Sequence, residues 1–200
     1  MFDRHPQVKA LRRALEDEKV RQIRLSGLQG SAMALVFASL NDNDNVDLDL
    51  NLNKTFVFIL DDEEQAGYFY HDLVQVMGDK QVLFFPSSFR RAVKYGQRDA
   101  ANEILRTEVL TRLSTKGANG GLLYIVTHPE AMAERVVSQK QLEAQTLTIR
   151  EGENIGTDFV TETLMAFGFN RTDYVYEPGQ FAVRGSLIDV FSYSCEYPFA

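Results

Sequence analysis

FVFILDDEEQAGYFYHDLVQVMGDKQVLFF, residues 56–85, decides the fold. Phe56 to Leu60 and Val82 to Phe85 are short, continuous apolar runs rich in aromatic and β-branched residues. Such runs read as strands buried on both faces, because a strand with one wet face would alternate apolar and polar residues. Between them, roughly Glu63 to Met77 has the length and spacing of a helix. Its entry is acidic: Asp61 or Asp62 caps the N-terminus, and Asp61 with Glu64 has capping-box spacing. Two buried strands joined by a helix form the repeating unit of a parallel sheet.

The same alternation extends both ways. Downstream, a helix near Ala101 to Leu113 and a GANGG turn lead to a third buried strand, Leu122 to Val126. Upstream, Ile23 to Leu25 reads as a short strand feeding Gly27-Leu28-Gln29-Gly30-Ser31, and Ala32 to Leu40 as a helix apolar all round and therefore buried. Before it, Val8, Leu11, Ala14 and Leu15 form the apolar stripe of a first helix opened by Pro6, with Arg12, Arg13, Glu16 and Asp17 opposite. Asn41 to Asn53, NDNDNVDLDLNLN, is an acidic insert expected as a mobile loop. As a calcium loop it lacks the central glycine and closing glutamate in register.

After about Gln145 the pattern changes. Leu147 to Ile149, a helix from about Thr157 to Phe167, and TDYVYEPGQFAVRGSLIDVFSY (172–193) read as a smaller α+β unit with an antiparallel hairpin. Glu177-Pro178-Gly179-Gln180 is the expected turn, with proline second and glycine third as in type II. The boundary falls near 138–146, dividing the chain into 1–142 and 143–200. The fold class is α/β, a parallel sheet with flanking helices, followed by that smaller subdomain.

Composition narrows the function. Of 200 residues, 44% are hydrophobic and 24% charged, as in a globular protein with a sizeable core. The net charge of −7 opposes unaided nucleic-acid binding, which needs clustered cations. Cys195 is the single cysteine, so the chain forms no internal disulfide and suits a reducing compartment. No run approaches the ~18 apolar residues of a membrane span, and the N-terminus has no apolar signal core; the cytoplasm is expected.

GLQGSAMA, residues 27–34, sits in the frame of a phosphate-binding loop. The pattern G-x-x-x-x-G-K-[ST] requires a glycine, a lysine for the phosphates and a magnesium-binding hydroxyl at its last three positions. Those positions are Ala32, Met33 and Ala34. Gly27 and Gly30 keep the turn, and a helix N-terminus still offers N–H groups, but the cation and metal ligand are gone. No cofactor is expected; an ATP-binding domain with an unorthodox loop is the alternative. Asp61 and Asp62 at a strand end serve no metal without that lysine. His5, His71 and His128 lack ligand spacing, and Ser87-Ser88, Ser192 and Ser194 lack a nucleophile-elbow context, so neither zinc nor a hydrolase site is expected. Phe89 to Arg98 is the one basic, aromatic stretch; nucleic-acid stacking is one reading and a solvated loop the preferred one.

Arg184 stands out. Ala182, Arg184 and Ser186 alternate with Phe181, Val183 and the apolar residues from Leu187 onward, so Arg184 faces away from the core side. On a rigid strand among small residues, its planar fork suits a partner carboxylate.

The stretch Gly179 to Phe191 fits G-x-[FY]-x-x-R-G-x-[LIV]-[LIV]-D-[LIV]-F. It resembles the bacterial transcription-repair coupling factors (the Mfd family) and the paralogous region of the excision-repair protein UvrB. GLQGSAMA, FVFILDDEEQAGYFYHDL and VLFFPSSFRRA resemble the first, degenerate P-loop and helicase-like, subdomain of the same proteins, so the likeness covers essentially the whole chain. UvrB keeps a complete phosphate loop and the Mfd module has lost it; this chain sides with the latter. The resemblance implies a non-catalytic UvrB-like module that helps recruit UvrA, for nucleotide excision repair, to RNA polymerase stalled at DNA lesions. It implies that residues from about 146 onward begin the UvrA-binding subdomain, with Arg184 a contact residue. A second contact arginine is expected after a Tyr-Pro; here Tyr197-Pro198-Phe199 is followed by Ala200. The family's ATP- and magnesium-dependent DNA translocase motor, and its contacts with RNA polymerase and double-stranded DNA, belong to other parts of a much longer chain.

Overall fold

The computed structural model describes residues 5–41, 54–89, 99–119, 122–195 and 197–199. The insert after Asn41 and the basic stretch after Phe89, for which a mobile loop and a solvated loop are expected, lie outside the described residues. Two compact units form, Met1–Phe84 with Asn119–Pro129, and Phe85–Ala118 with Glu130–Ala200.

The first unit begins with α1 (Pro6–Glu16) and α2 (Ala32–Ala38), the latter running into a 3₁₀ turn, Ser39–Asn41. Then come β1 (Thr55–Ile59), α3 (Glu63–Met77), β2 (Val82–Phe85), α4 (Ala100–Asn119, assigned to the second unit for most of its length) and β3 (Leu123–Thr127). The sheet order is β1-β3-β2, and β1 runs parallel to β3 from Thr55 opposite Leu123 to Ile59 opposite Thr127. The sequence expectation of a parallel α/β sheet with flanking helices holds.

Because side chains alternate along a strand, Phe56, Phe58, Tyr124 and Val126 share the face that meets α2 and α3. There they pack with Ala34, Ala66, Phe69 and Leu73. The Phe56 and Tyr124 rings stack at 5.4 Å, and Phe37 meets Phe58 edge-on at 4.9 Å. The Tyr124 hydroxyl donates to the Phe37 carbonyl (3.1 Å). Burial, partly opposed by the nearby Arg12 charge, pushes its pKa up to about 12. Of the two candidate caps, Asp62 closes α3: it accepts from the Gln65 amide (2.8 Å), and the Gln65 side chain donates back to it (3.2 Å).

Two expectations fail here. Ile23 to Leu25 is irregular and pairs with no strand among the described residues, and the Ile23 and Leu25 side chains are exposed. Three residues form too few ladder bonds, and bury too little, to offset the entropy of ordering them. Arg12 is buried, not on a solvent face. Its guanidinium donates to the carbonyls of Ser39 (2.9 Å) and Leu40 (3.3 Å), whose helical ladder has ended, so the charge answers orphan acceptors.

In the second unit, α5 (Pro129–Ala133, starting at the junction), α6 (Gln139–Ala144) and α7 (Thr157–Ala166) precede β4 (Asn170–Arg171), β5 (Gln180–Arg184) and β6 (Leu187–Phe191). Arg106 on α4 lies over the Phe85 ring (4.1 Å) and donates to the carbonyls of Pro86 (2.7 Å) and Ala131 (3.3 Å). Glu134, 3.5 Å from Arg106, accepts from the Ser87 hydroxyl and the Ser88 amide. Ser87 and Ser88 thus tie a loop to its neighbours. Burial alone would raise the Glu134 pKa, but these hydrogen bonds and Arg106 outweigh it and hold it below the ordinary carboxylate value.

The small sheet has the order β4-β5-β6, with β4 parallel and β6 antiparallel to β5. Val160 and Leu164 of α7 pack on Phe181 and Val190, joined by Leu147, Ile155, Phe169, Val183 and Ile188. Leu147 to Ile149 is not a strand; Leu147 reaches this core while Ile149 is exposed. The turn at Glu177–Gln180 forms, closed by Gln180 N–H to the Glu177 carbonyl (3.2 Å) with Gly179 at φ +84°. It leads into β5, however; the hairpin itself turns at Gly185-Ser186, since Arg184 pairs with Leu187.

Candidate functional site: a partner-binding face

Strand alternation sends Phe181 and Val183 into the core, so Arg184 projects from the other face. The two-residue turn places Leu187 opposite Arg184 and Asp189 opposite Ala182. Leu187 therefore stands on the outer face and is exposed, contrary to its expected place on the core side. Ala182 contributes only a methyl, which leaves room for Arg184 to reach diagonally to Asp189. Arg184 Nε lies 2.8 Å and Nη2 2.5 Å from the same oxygen, Asp189 Oδ2. The Arg184 side chain is 56% exposed and the Asp189 side chain 19%.

A shallow depression of about 290 Å³ surrounds the pair, lined also by Tyr174, Val175, Tyr176, Pro198 and Phe199. Its aromatics are displayed rather than packed: Tyr174 is 64%, Tyr176 76% and Phe199 52% exposed. The two tyrosine rings lie 6.4 Å apart. Their loop is held by backbone contacts: the Thr172 hydroxyl donates to the Tyr174 carbonyl (2.8 Å), and the Tyr176 amide to Gln180 Oε1 (2.9 Å). Phe199 is fixed beside β6 by reciprocal backbone bonds with Val190 (2.8 and 2.9 Å). An arginine amid exposed aromatics on a hydrogen-bonded frame has the composition of a protein–protein hot spot. The sequence reading names Arg184 as a candidate; Asp189, Tyr174, Tyr176 and Phe199 join it only in the structure. The available signal was the Tyr-x-Tyr before the turn and the aspartate five residues past the arginine.

The other candidate lies in the first unit. Gly27 and Gly30 are exposed, Met33 packs against the sheet core and Ala34 is fully buried. Ser31 precedes α2 without a side-chain capping bond. Of the histidines, His5 accepts from the Gln7 amide (3.3 Å) at the start of α1, His71 lies beside Gln75 on α3, and His128 is buried. Among the described residues, no three potential metal ligands cluster and no helix is long and apolar enough to cross a membrane.

Residues 147–199, which carry this face, match the UvrB interaction domain. The similarity is therefore to a UvrB-type interaction domain, and it is confined to this C-terminal segment. The chain is 28% identical over 183 residues to a transcription-repair-coupling factor of Bacillus subtilis, covering 90% of this chain and 14% of that protein. The factor of Myxococcus xanthus is 27% identical over 178 residues (86% and 14%), and that of Escherichia coli 22% over 129 (64% and 11%). Together the matches show similarity to transcription-repair-coupling factors, and the chain spans about 14% of the length of the Bacillus subtilis and Myxococcus xanthus proteins.

Proposed function

We propose that this module helps recruit UvrA to RNA polymerase stalled at DNA lesions, through the face centred on Arg184, and performs no chemistry of its own. The observation that carries the reading is the display of Arg184 on a hydrogen-bonded hairpin, among exposed aromatics, within the segment matching the UvrB interaction domain. Residues 143–200 then begin the UvrA-binding subdomain and residues 1–142 serve as its UvrB-like scaffold. Met33 packed into the core supports a structural role for GLQGSAMA. ATP, magnesium, RNA polymerase and double-stranded DNA engage other regions of the longer protein, in the cytoplasm.

Isothermal titration of UvrA against the chain and its Arg184→Ala variant tests this. Loss of a hot-spot arginine costs about 2 kcal/mol, roughly a thirtyfold weaker Kd. Unchanged affinity would remove Arg184 from the site.

A further inference from the structure

A guanidinium can grip a carboxylate along either of two edges, Nε with Nη2 or Nη1 with Nη2. Asp189 takes the first with a single oxygen. The second edge carries no contact among the described residues. The two partners also differ in exposure: the acid is the more buried member, and the base is the displayed one. This asymmetry suits a support better than a surface ion pair.

We infer that Asp189 is a positioning residue, holding Arg184 by its Nε–Nη2 edge so that the Nη1–Nη2 edge faces a carboxylate on the partner protein. The inference rests on the proposed reading of Arg184. A free arginine gives up considerable rotamer entropy on binding; one already held at its base gives up less. The incoming carboxylate would sit across the guanidinium from Asp189, and at a solvated surface the repulsion between the two acids is weak.

Charge also selects the partner. Among the described residues Arg184 is the only cation lining the depression, and Asp189 cancels it. A nucleic-acid backbone, which needs several clustered cations, has little to bind here. A protein segment bearing one carboxylate beside apolar or aromatic side chains fits both the free edge and the rim of Tyr174, Tyr176 and Phe199. Since the pair is neutral, capture depends on contact geometry rather than long-range steering, and affinity should vary little with salt.

The test is titration of UvrA into the wild-type chain and the Asp189→Ala, Asp189→Asn, Arg184→Ala and Arg184→Ala/Asp189→Ala variants, with Tm recorded for each. Asp189→Ala should weaken binding about tenfold, within the scale of arginine rotamer entropy. Asp189→Asn, whose amide oxygen still accepts from Nε–H, should recover most of that loss at unchanged Tm. In the Arg184→Ala background, Asp189→Ala should change nothing further. Affinity at or above wild type in both Asp189 variants, with Arg184→Ala still weakened, would show that Asp189 masks the arginine and overturn the inference alone. An Asp189 effect that persists without Arg184 would also overturn it. If Arg184→Ala binds normally, the proposed function falls first and this inference with it. Binding of a DNA duplex by the chain that is lost with Arg184→Ala, while UvrA binding is kept, would replace the protein partner with nucleic acid.

Discussion

Gly179→Ala should loosen the whole Arg184 face. A Cβ added at Gly179 would lie 2.2 Å from the Tyr193 hydroxyl oxygen and 2.7 Å from the ring carbon bearing it. Comfortable contacts begin near 3.5 Å, so the ring must retreat by roughly an ångström. Tyr193 meets Phe169 edge-on at 5.9 Å, and losing that contact costs about 0.5–1.5 kcal/mol. The backbone adds its own penalty: φ is +84°, and a left-handed conformation costs a residue with a Cβ about 1–2 kcal/mol. The sum is roughly 1.5–3.5 kcal/mol from these two sources. It falls where the sheet is tied together, because the Gly179 amide donates to the Phe191 carbonyl (2.7 Å) and its carbonyl accepts from the Asn170 amide (2.8 Å). Amide hydrogen exchange across β5 and β6 reads this local free energy directly. The decisive comparison is Gly179→Ala in a Tyr193→Ala background, where the ring is absent and only the backbone penalty of about 1–2 kcal/mol should remain. Equal cost in the two backgrounds would refute the steric contact. Unchanged protection in both would refute the positive φ.

Two ionisable groups give pH predictions of opposite sign. Tyr124 ionises near 10 when unfolded but only at about 12 when folded, so the folded state holds its proton longer and stability falls as pH rises through that window. The loss approaches about 2–3 kcal/mol at 1.36 kcal/mol per unit, and alkaline denaturation of Tyr124→Phe should be correspondingly shallower; coincident slopes would contradict it. Glu134 behaves in reverse. Its folded pKa is depressed, so its contribution is complete above the ordinary carboxylate range and is lost as pH falls through the lower folded value. Glu134→Gln should flatten the acid limb of the stability curve, as followed by circular dichroism.

What could be read from the residues was what depends on near neighbours. The runs at 56–60 and 82–85, the helix between them with an aspartate cap, and the turn at Glu177–Gln180 are set by local periodicity and backbone preference. Arg12 could not be placed that way, because its role is fixed by carbonyls at Ser39 and Leu40, reached only when α1 and the end of α2 meet. Alternation was sufficient for Arg184 on β5. Beyond the turn it failed for Leu187, since the count across a hairpin depends on which residues form the turn: a loop at Gly185-Ser186 puts Leu187 opposite Arg184. Asp189 was hidden for the same reason. Its partner is chosen by strand register, and only that register brings it diagonally to the guanidinium.

On the proposed reading of GLQGSAMA as the frame of a phosphate loop, one substitution would not restore its chemistry. Met33, at the lysine position of that frame, packs against the core cluster that includes Phe58 and Tyr124; Ala34, at the hydroxyl position, is fully buried. A lysine at 33 would forfeit apolar packing, while a serine at 34 would have its hydroxyl enclosed in the apolar core rather than turned to a metal in solvent. Each change is unfavourable without the other and without a shift of α2. The core has absorbed the two positions at which the pattern would place the lysine and the hydroxyl, whereas the Arg184 side chain is 56% exposed.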